Sequence, residues 1–180
     1  DLNDRESADG TLIPSGSSDR DIHAFMGYRM GNHYVGLRAQ DYDLAADVYT
    51  GDPAFYISLP KRALRKYGIF YEGTDLTPWL KLLKVDAYRQ KVERSFLNDI
   101  TFPAGPFSMN VGSTSEDEQK MRGFSATATM EFAPGHRTVA GIEYEHDRLI
   151  SDKTTTTSMV PPVAPVTVAN LYSDAKIRTI

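Results

Sequence analysis

The residue types in this chain that could bind a metal are four histidines and one acidic run. His23, His33, His136 and His146 are scattered, and none has metal-ligand spacing to another histidine or to a carboxylate cluster. The run Ser115-Glu116-Asp117-Glu118 could hold a hard cation through its oxygens, but it lacks the glycine turn of a calcium loop. We interpret the run as a solvated loop. The sequence therefore predicts no metal site.

Nucleophilic and phosphate-binding motifs are also missing from the sequence. Cysteine is absent, which excludes disulfides, thiolate metal sites and cysteine nucleophiles. The serines lie in no recognisable nucleophile motif, and the glycines form no phosphate-cradling loop. The net charge of −4 argues against nucleic acid as a partner. We therefore expect no catalytic residues, no enzyme activity and no bound cofactor.

Aromatic side chains are the remaining candidates for recognition. Phe55, Tyr56, Phe102 and Phe107 lie in segments that read as loops. Aromatic rings in external loops are suited to gripping a flat, partly apolar ligand. Packing of the loops on themselves is an equally good interpretation. We take these four residues as the candidate ligand-binding set.

Alternating apolar and polar residues define the elements that would position these side chains. In the clearest stretch, Phe124–Phe132, every second residue is apolar and every residue between is polar. Side chains on a strand point to opposite faces with period two, so the pattern predicts strands with one apolar and one polar face. About six strands are predicted, at residues 22–30, 33–49, 62–73, 82–97, 120–132 and 137–150.

The connections between these strands are predicted to alternate between long and short. Residues 1–21, 50–60, the twenty or so residues after 97, and the tail from 151 read as long loops. Gly31-Asn32, Thr74–Trp79 and Ala133–His136 read as short turns. In outer-membrane barrels the short turns lie in the periplasm and the long loops lie outside the cell, which would place Trp79 at the periplasmic aromatic girdle. The pattern predicts an all-β antiparallel meander.

Each face of this meander has a predicted set of residues. The apolar set, expected to face lipid, is Val35, Leu37, Ile69, Tyr71, Val85, Ala126, Ala128, Ile142 and Tyr144. The polar set, expected to line a wet lumen, is Arg38, Gln40, Glu72, Asp86, Glu143 and Glu145. His146 has the parity of the lipid-facing set, which argues against a role as a haem ligand.

A soluble β-sandwich is the alternative to a barrel wall. Sandwich strands also alternate, but they are usually five or six residues long and their loops are not sorted by length. Six strands cannot close a spanning barrel, and an open sheet would expose two long edges. The barrel interpretation therefore requires that residues 1–180 be part of a larger barrel. The N-terminus has neither the basic nor the apolar region of a signal peptide, so we expect the chain to be cut from something longer.

Several segments resemble TonB-dependent outer-membrane receptors. The stretch Ile57–Arg62 with Leu76–Lys81 looks like their barrel sequence. Tyr88-Arg89-Gln90-Lys91-Val92-Glu93-Arg94-Ser95-Phe96 is similar to their "YxQxxxRxF" strand end. Val139–Arg148 resembles their "vaGlEYerD" strand. The order and spacing of these pieces, over most of residues 22–150, carry the resemblance.

The resemblance implies a segment of a 22-stranded transmembrane β-barrel in the bacterial outer membrane. Such receptors carry a ferric siderophore or haem inward, and they are energised by the TonB complex through an N-terminal plug domain. Residues 1–180 contain no plug, so TonB would act only through that absent domain. The chain would supply barrel wall and external loops in contact with membrane lipid. A soluble or cell-surface β-sandwich, such as an adhesin-like binding module, is the alternative function.

Overall fold

The computed structural model describes residues 3–160 and 163–179, which form one antiparallel sheet of eight strands. The strands are β1 Asn3–Ser7, β2 Gly10–Met30, β3 His33–Val48, β4 Phe55–Thr74, β5 Leu80–Ala104, β6 Phe107–Ala133, β7 His136–Val160 and β8 Val163–Thr179. The order in the sheet follows the order in the chain, so every strand pairs with its sequence neighbours. The described residues contain no helix, and thus none that could cross a membrane.

The predicted antiparallel meander is confirmed, but the sheet has eight strands rather than about six. Segments that read as loops are mostly strand. Residues 3–7 and 10–21 belong to β1 and β2, β5 and β6 extend through the stretch after 97, and β7 and β8 occupy much of the tail. These segments are rich in Ser, Thr, Asp and Pro, which favour loops, but hydrogen bonds to the neighbouring strand hold them extended.

The connections lie alternately at two ends of the sheet. We call the end with the connections at 31–32, 75–79 and 134–135 the proximal end, and the end with those at 49–54 and 105–106 the distal end. The predicted long loop between β5 and β6 is a two-residue turn, in which Gly105 has a φ of 65°. Gly31 and Gly135 have φ of 55° and 77° in the proximal turns, a backbone conformation that favours glycine. Long hairpins, rather than long loops, therefore extend towards the distal end.

Backbone register assigns each residue to a face, because directly paired residues lie on the same side of a sheet. Val35 pairs with Tyr71, which pairs with Val85, then Ala126 and Ile142. By the same rule the whole predicted apolar set shares one side, which we call the Val35 face. The predicted polar set shares the opposite side, which we call the Arg38 face.

The described sheet has no second layer against it. Each strand contacts only its neighbours in sequence, and Ala63 is the one buried apolar side chain among the described residues. Large side chains on the Val35 face are exposed instead, including Tyr28, Met26 and Ile142. A single sheet cannot bury an apolar face by itself. The apolar side chains of the Val35 face are therefore available to an external partner.

Candidate functional site

Ion pairs and hydrogen bonds link the strands across the proximal half of the Arg38 face. Arg38 on β3 donates to Asp86 on β5, although β4 lies between them. The Tyr88 hydroxyl donates to Glu145 Oε2 at 2.8 Å, across β6. Bonds that skip a strand require long side chains to lie flat on the sheet. They hold the predicted polar set in a fixed arrangement on this face.

The other members of the polar set lie in the same or neighbouring rows of this face. Lys84 Nζ lies 3.2 Å from Glu72 Oε2 on the neighbouring strand. Gln40 Nε2 donates to Asp21 Oδ1 at 3.4 Å. Glu143 is aligned through Ser125 with Asp86. The structure therefore brings the six predicted polar residues together on one surface.

An aromatic cluster on the same face was missed by the sequence analysis. The rings of Phe25 and Phe70 are stacked with centroids 6.0 Å apart, and the edge of Tyr34 meets Phe70 at 5.4 Å. The Arg38 guanidinium lies 6.0 Å from the Phe70 centroid. Phe70 stands between Ile69 and Tyr71 in the chain, which places it on the opposite face, but its ring partners come from β2 and β3 and are not visible in the pattern of one strand.

Glycines let these large side chains lie against the backbone. The Phe70 ring covers Gly36, and the Tyr88 ring covers Gly123, each on the neighbouring strand. A β-carbon at either glycine would overlap the ring. Glycine inside a strand often marks such a close approach. Beside Phe70 a cavity of about 370 Å³ is lined by Arg38, Glu72, Lys84 and Asp86, among others.

The predicted ligand-binding aromatics lie in strands near the distal end, not in loops. Phe55 is in β4, Phe102 in β5 and Phe107 in β6. Register places these three on the Arg38 face, since Phe55 pairs with Ile100 and Phe107 pairs with Ala104. Tyr56 lies on the Val35 face, where its hydroxyl donates to Asp47 Oδ1 at 3.2 Å. Three of the four predicted residues therefore share a surface.

Additional apolar residues extend this surface. Met109 pairs with Phe102, and Val111 pairs with Ile100. We call Phe55, Ile100, Phe102, Phe107, Met109 and Val111 the distal patch. The alternation in Phe107–Val111, with Ser108 and Asn110 between the apolar residues, is the signal that could have identified it.

A bulge in β4 places Phe55 on the Arg38 face. Ser58 pairs with Leu97 and Lys61 pairs with Ser95, so β4 contains one residue more than β5 over this interval. Pro60 lies within the bulge, where its missing N–H costs no ladder hydrogen bond. The extra residue reverses the parity of β4. Odd-numbered residues of β4 therefore lie on the Val35 face on the proximal side of the bulge, and on the Arg38 face on its distal side.

The acidic run Ser115–Glu118 is part of β6, so its interpretation as a solvated loop is wrong. Asp117 is nearly buried, and it accepts hydrogen bonds from Arg94 Nε at 2.9 Å and from Ser151 Oγ at 2.5 Å. Partial burial disfavours the carboxylate, but the Ser151 and Arg94 hydrogen bonds outweigh it and lower the Asp117 pKa. Its oxygens are engaged by protein donors rather than directed at a cation.

Glu118 points to the other side of β6 and is held by two lysines. Its Oε2 lies 2.8 Å from Lys91 Nζ, and its Oε1 lies 2.5 Å from Lys120 Nζ. Hydrogen bonds from Lys120 and then Lys91 lower the Glu118 pKa to about 2. This carboxylate is therefore ionised over the whole physiological range of pH.

The four histidines are apart in the structure as well as in the sequence. His33 Nδ1 lies 2.8 Å from the Tyr71 hydroxyl, and His23 Nε2 lies 3.0 Å from Asp21 Oδ2. His146 lies on the Val35 face, in the row of Arg122. Within residues 3–160 and 163–179, no group of three His, Asp or Glu side chains could hold a metal ion. Comparison with known proteins finds no matching family model, no matching curated protein and no matching solved structure.

Proposed function

We propose that this chain is part of the barrel wall of a TonB-dependent outer-membrane receptor that takes up an iron-bearing ligand, a ferric siderophore or haem. One observation carries the proposal: apolar side chains change face along the strands. In the proximal half they occupy the Val35 face, and in the distal half they occupy the Arg38 face as the distal patch. Distally, β5 and β6 place Asp99, Thr101 and Asn110 on the Val35 face instead.

This exchange of faces is expected where the strands of a barrel extend beyond the membrane, because the environment of the outer face changes there. Within the bilayer the outside of a barrel meets hydrocarbon, and the inside meets water. Beyond the bilayer the outside also meets water, and apolar residues are then retained only where something else covers them. A soluble sheet with one wet face would keep its apolar residues on one side along its whole length. The reversal therefore favours the membrane wall over a sandwich.

The dimensions of the apolar region fit the proposal. Ile22, Ala24, Met26, Tyr28 and Met30 follow one another on the Val35 face of β2. They span about nine residues, close to the 9–11 that a tilted strand needs to cross a bilayer. Their exposure is high, and reaches 72% for Tyr28. A lipid environment would cover side chains that a soluble monomer would leave in contact with water.

The open edges of the sheet support a larger barrel. Within the described residues β1 pairs only with β2, and β8 pairs only with β7. An unpaired edge in a bilayer would leave backbone N–H and C=O groups without partners, at a cost of several kcal/mol each. Further strands of the same barrel would satisfy both edges. The 22-stranded closure comes from the resemblance to the receptors.

Each surface receives a role under this proposal. The proximal ion pairs line the lumen, where the polar set would contact the plug domain through which TonB acts. The distal patch lies where the lumen opens to the outside. Its rings present an apolar surface to a flat, partly apolar ligand such as haem or a ferric siderophore. No catalytic step is required, since the transported ligand leaves chemically unchanged.

Single-cysteine labelling tests the placement of the sheet. Because these 180 residues contain no cysteine, Ile142→Cys and its neighbour Glu143→Cys differ mainly in the face that carries the thiol. A nitroxide at residue 142 should be relaxed by oxygen, which partitions into lipid, and one at residue 143 by a water-soluble nickel chelate. The distal pair Asn110→Cys and Met109→Cys serves as the matched control, and both of these should contact water. Equal water accessibility at residues 142 and 143 would contradict a lipid-facing wall.

Fractionation and growth test the transport role. The complete gene product should be found in the outer membrane and be extracted only with detergent. Deletion of the gene should slow growth on one sole iron source. The sources tested are haemin and ferric siderophores of the hydroxamate, catecholate and carboxylate classes. Two results together would favour the soluble binding module. The complete protein would be recovered in a soluble fraction, and residues 1–180 alone would form a monodisperse monomer that melts sharply and reversibly.

A further inference from the structure

Cationic side chains form two adjacent rows on the Val35 face, directly distal to its apolar region. Register aligns Arg89 with Arg122, and the next row aligns Arg65, Lys91, Lys120 and Arg148. We call these six residues the cationic belt. On β4 to β7 neither row contains an acidic residue. The belt therefore concentrates positive charge at the boundary of the apolar surface.

Carboxylates contact Arg65, Lys91 and Lys120 of the distal row, and the carboxylate nearest Arg65 is that of Asp41, which continues that row on β3. Lys91 contacts Glu118 at 2.8 Å and Glu93 at 3.3 Å. In contrast, neither Arg89 nor Arg122 takes part in an ion pair among the described residues. Like charges directly opposite each other on neighbouring strands are destabilising. The Arg89–Arg122 pair therefore has a charge that the described part of the protein does not balance.

A second observation at the same place indicates a ligand. The Nδ1 atom of His146, in the same row as Arg122, is buried and has no hydrogen-bond partner in the described part of the chain. A cavity of about 390 Å³ is lined by Arg89, Lys120, Met121, Arg122, His146 and Arg148. Arginine binds phosphate in a bidentate manner, and an imidazole nitrogen can donate to a phosphate oxygen. The cavity thus combines unbalanced positive charge with space for an anion, beside a histidine whose Nδ1 has no partner in the described part of the chain.

We propose that the cationic belt binds the phosphate groups of an anionic phospholipid or glycolipid in the outer leaflet, with the acyl chains of that lipid against the apolar rows of the same face. The proposal rests on the proposed membrane location. Phe124 and Tyr144 stand two residues from Arg122 and His146 along their strands, a separation of about 7 Å. This is the spacing expected between the edge of the hydrocarbon and a lipid phosphate.

The step in the boundary of the apolar region agrees with a bilayer edge. On β2 to β4 the row of Arg89 contains Ala24, Ala39 and Tyr67 instead of cations. Strands of a membrane barrel are tilted, so a plane parallel to the bilayer crosses different rows on different strands. An apolar–cationic boundary that moves by one row from β4 to β5 follows such a plane.

The test compares lipid bound to purified complete protein with and without the two unbalanced arginines. The probe is lipid A, a glycolipid with phosphates on its sugar headgroup, incorporated in phosphatidylcholine nanodiscs and quantified by mass spectrometry. The double variant Arg89→Gln/Arg122→Gln should bind lipid A about tenfold more weakly or worse. Its matched control, Arg62→Gln/Lys66→Gln, removes the same charge from the Arg38 face and should bind lipid A as the unaltered protein does.

Two further arms identify the source of the phosphate. Dephosphorylated lipid A should bind to the unaltered protein about as weakly as lipid A binds to the double variant. Inorganic phosphate should compete poorly, because it lacks the acyl chains. Equal binding of phosphorylated and dephosphorylated lipid A, or efficient displacement by inorganic phosphate, would overturn the lipid proposal.

Failure of this proposal is distinguishable from failure of the proposed function. If the protein is extracted from the outer membrane but the double variant retains its lipid A, the belt is not a lipid site and the receptor proposal stands. If the protein is found in a soluble fraction, both proposals are overturned. Folding of each variant is confirmed by its heat-dependent mobility on denaturing gels.

Discussion

The proximal and distal halves of this sheet place their apolar side chains on opposite faces. Proximally, Ile142 is 69% exposed on the Val35 face, and the Arg38 face bears ion pairs. Distally, Phe102 lies on the Arg38 face, and the Val35 face bears Asn110 and Thr101, whose side chains share a hydrogen bond of 3.1 Å. The same strands run through both halves. The parity that carries apolar side chains is therefore not fixed along a strand, although the pairing of β5 with β6 is continuous through both halves.

The two halves also differ in how they are stabilised. Proximally, rings cover glycines on the neighbouring strand, as Phe70 covers Gly36. Distally, charged residues connect β5, β6 and β7, as Asp117 does through Arg94 and Ser151. A hydrogen-bonded carboxylate with little exposure is worth more than a surface ion pair. The proximal half thus combines ring–glycine packing with ion pairs, whereas the interstrand contacts named here for the distal half are polar.

The largest effect is expected from a charge on the proximal Val35 face. Ile142→Lys should lower the free energy of unfolding from lipid vesicles by about 2–4 kcal/mol, because the ammonium group would enter hydrocarbon. Glu143→Lys, one residue away on the opposite face, should change it by less than about 1 kcal/mol. The measurement is a guanidinium titration of the complete protein. Equal effects at the two positions would remove the distinction between the faces.

A smaller effect is expected from filling the space beneath a proximal ring. Gly36→Val should destabilise the protein by about 1–3 kcal/mol, because the new side chain displaces Phe70. Phe70→Ala in the same chain should recover part of that loss, and a double-mutant cycle measures the coupling between the two positions. The contact is specific to this position: a β-carbon at Gly36 would meet the Phe70 ring, whereas one at Gly10 would meet no atom within 4 Å. Additive single and double variants would show that the ring does not depend on the glycine.

A comparable or smaller effect is expected at the distal patch. Under the proposed function, Phe102→Ala should weaken binding of an iron-bearing ligand by about tenfold, because the distal patch would lose one ring. Tyr56→Phe should leave binding unchanged, since Tyr56 lies on the opposite face. Isothermal titration with the haemin or siderophore identified by growth measures both. Loss of binding in Tyr56→Phe, with Phe102→Ala unaffected, would reverse the assignment of the distal faces.

The smallest effect concerns pH and the distal carboxylates. Because the folded-state pKa of Glu118, about 2, lies below its ordinary value of 4.5, its ion pairs stabilise the sheet above pH 4.5. This stabilisation is lost as the pH falls from 4.5 towards 2. The difference in melting temperature between the unaltered protein and Glu118→Gln should therefore close across that interval. Glu116→Gln, on the same strand and face but outside any ion pair of the described residues, serves as the control.

Where apolar and polar residues alternate strictly, the sequence predicted both the presence of a strand and the face on which each side chain lies. In Phe124–Met130 the apolar and polar residues lie on opposite sides as predicted, because period two is a property of the extended chain itself. The two turns at Gly31 and Gly135 could also be predicted, because they depend only on nearby residues: each needs a positive φ, which glycine adopts readily. The same period places Phe70 opposite Ile69 and Tyr71, but its contacts with Gly36, Phe25 and Tyr34 depend on the pairing of separate strands and could not be predicted.

The sequence by itself determined an all-β chain, its proximal turns and the two faces of its proximal half. These follow from the geometry of single strands and from the conformational freedom of glycine. Only the tertiary structure decided how far the strands extend, because the segments around Asn98–Gly112 are held by hydrogen bonds to another strand rather than by their own composition. It also decided the bulge at Pro60 and the alignment of Arg89 with Arg122. Register depends on how two strands pair and on the bulges between them, and the alternation within one strand does not reveal those bulges.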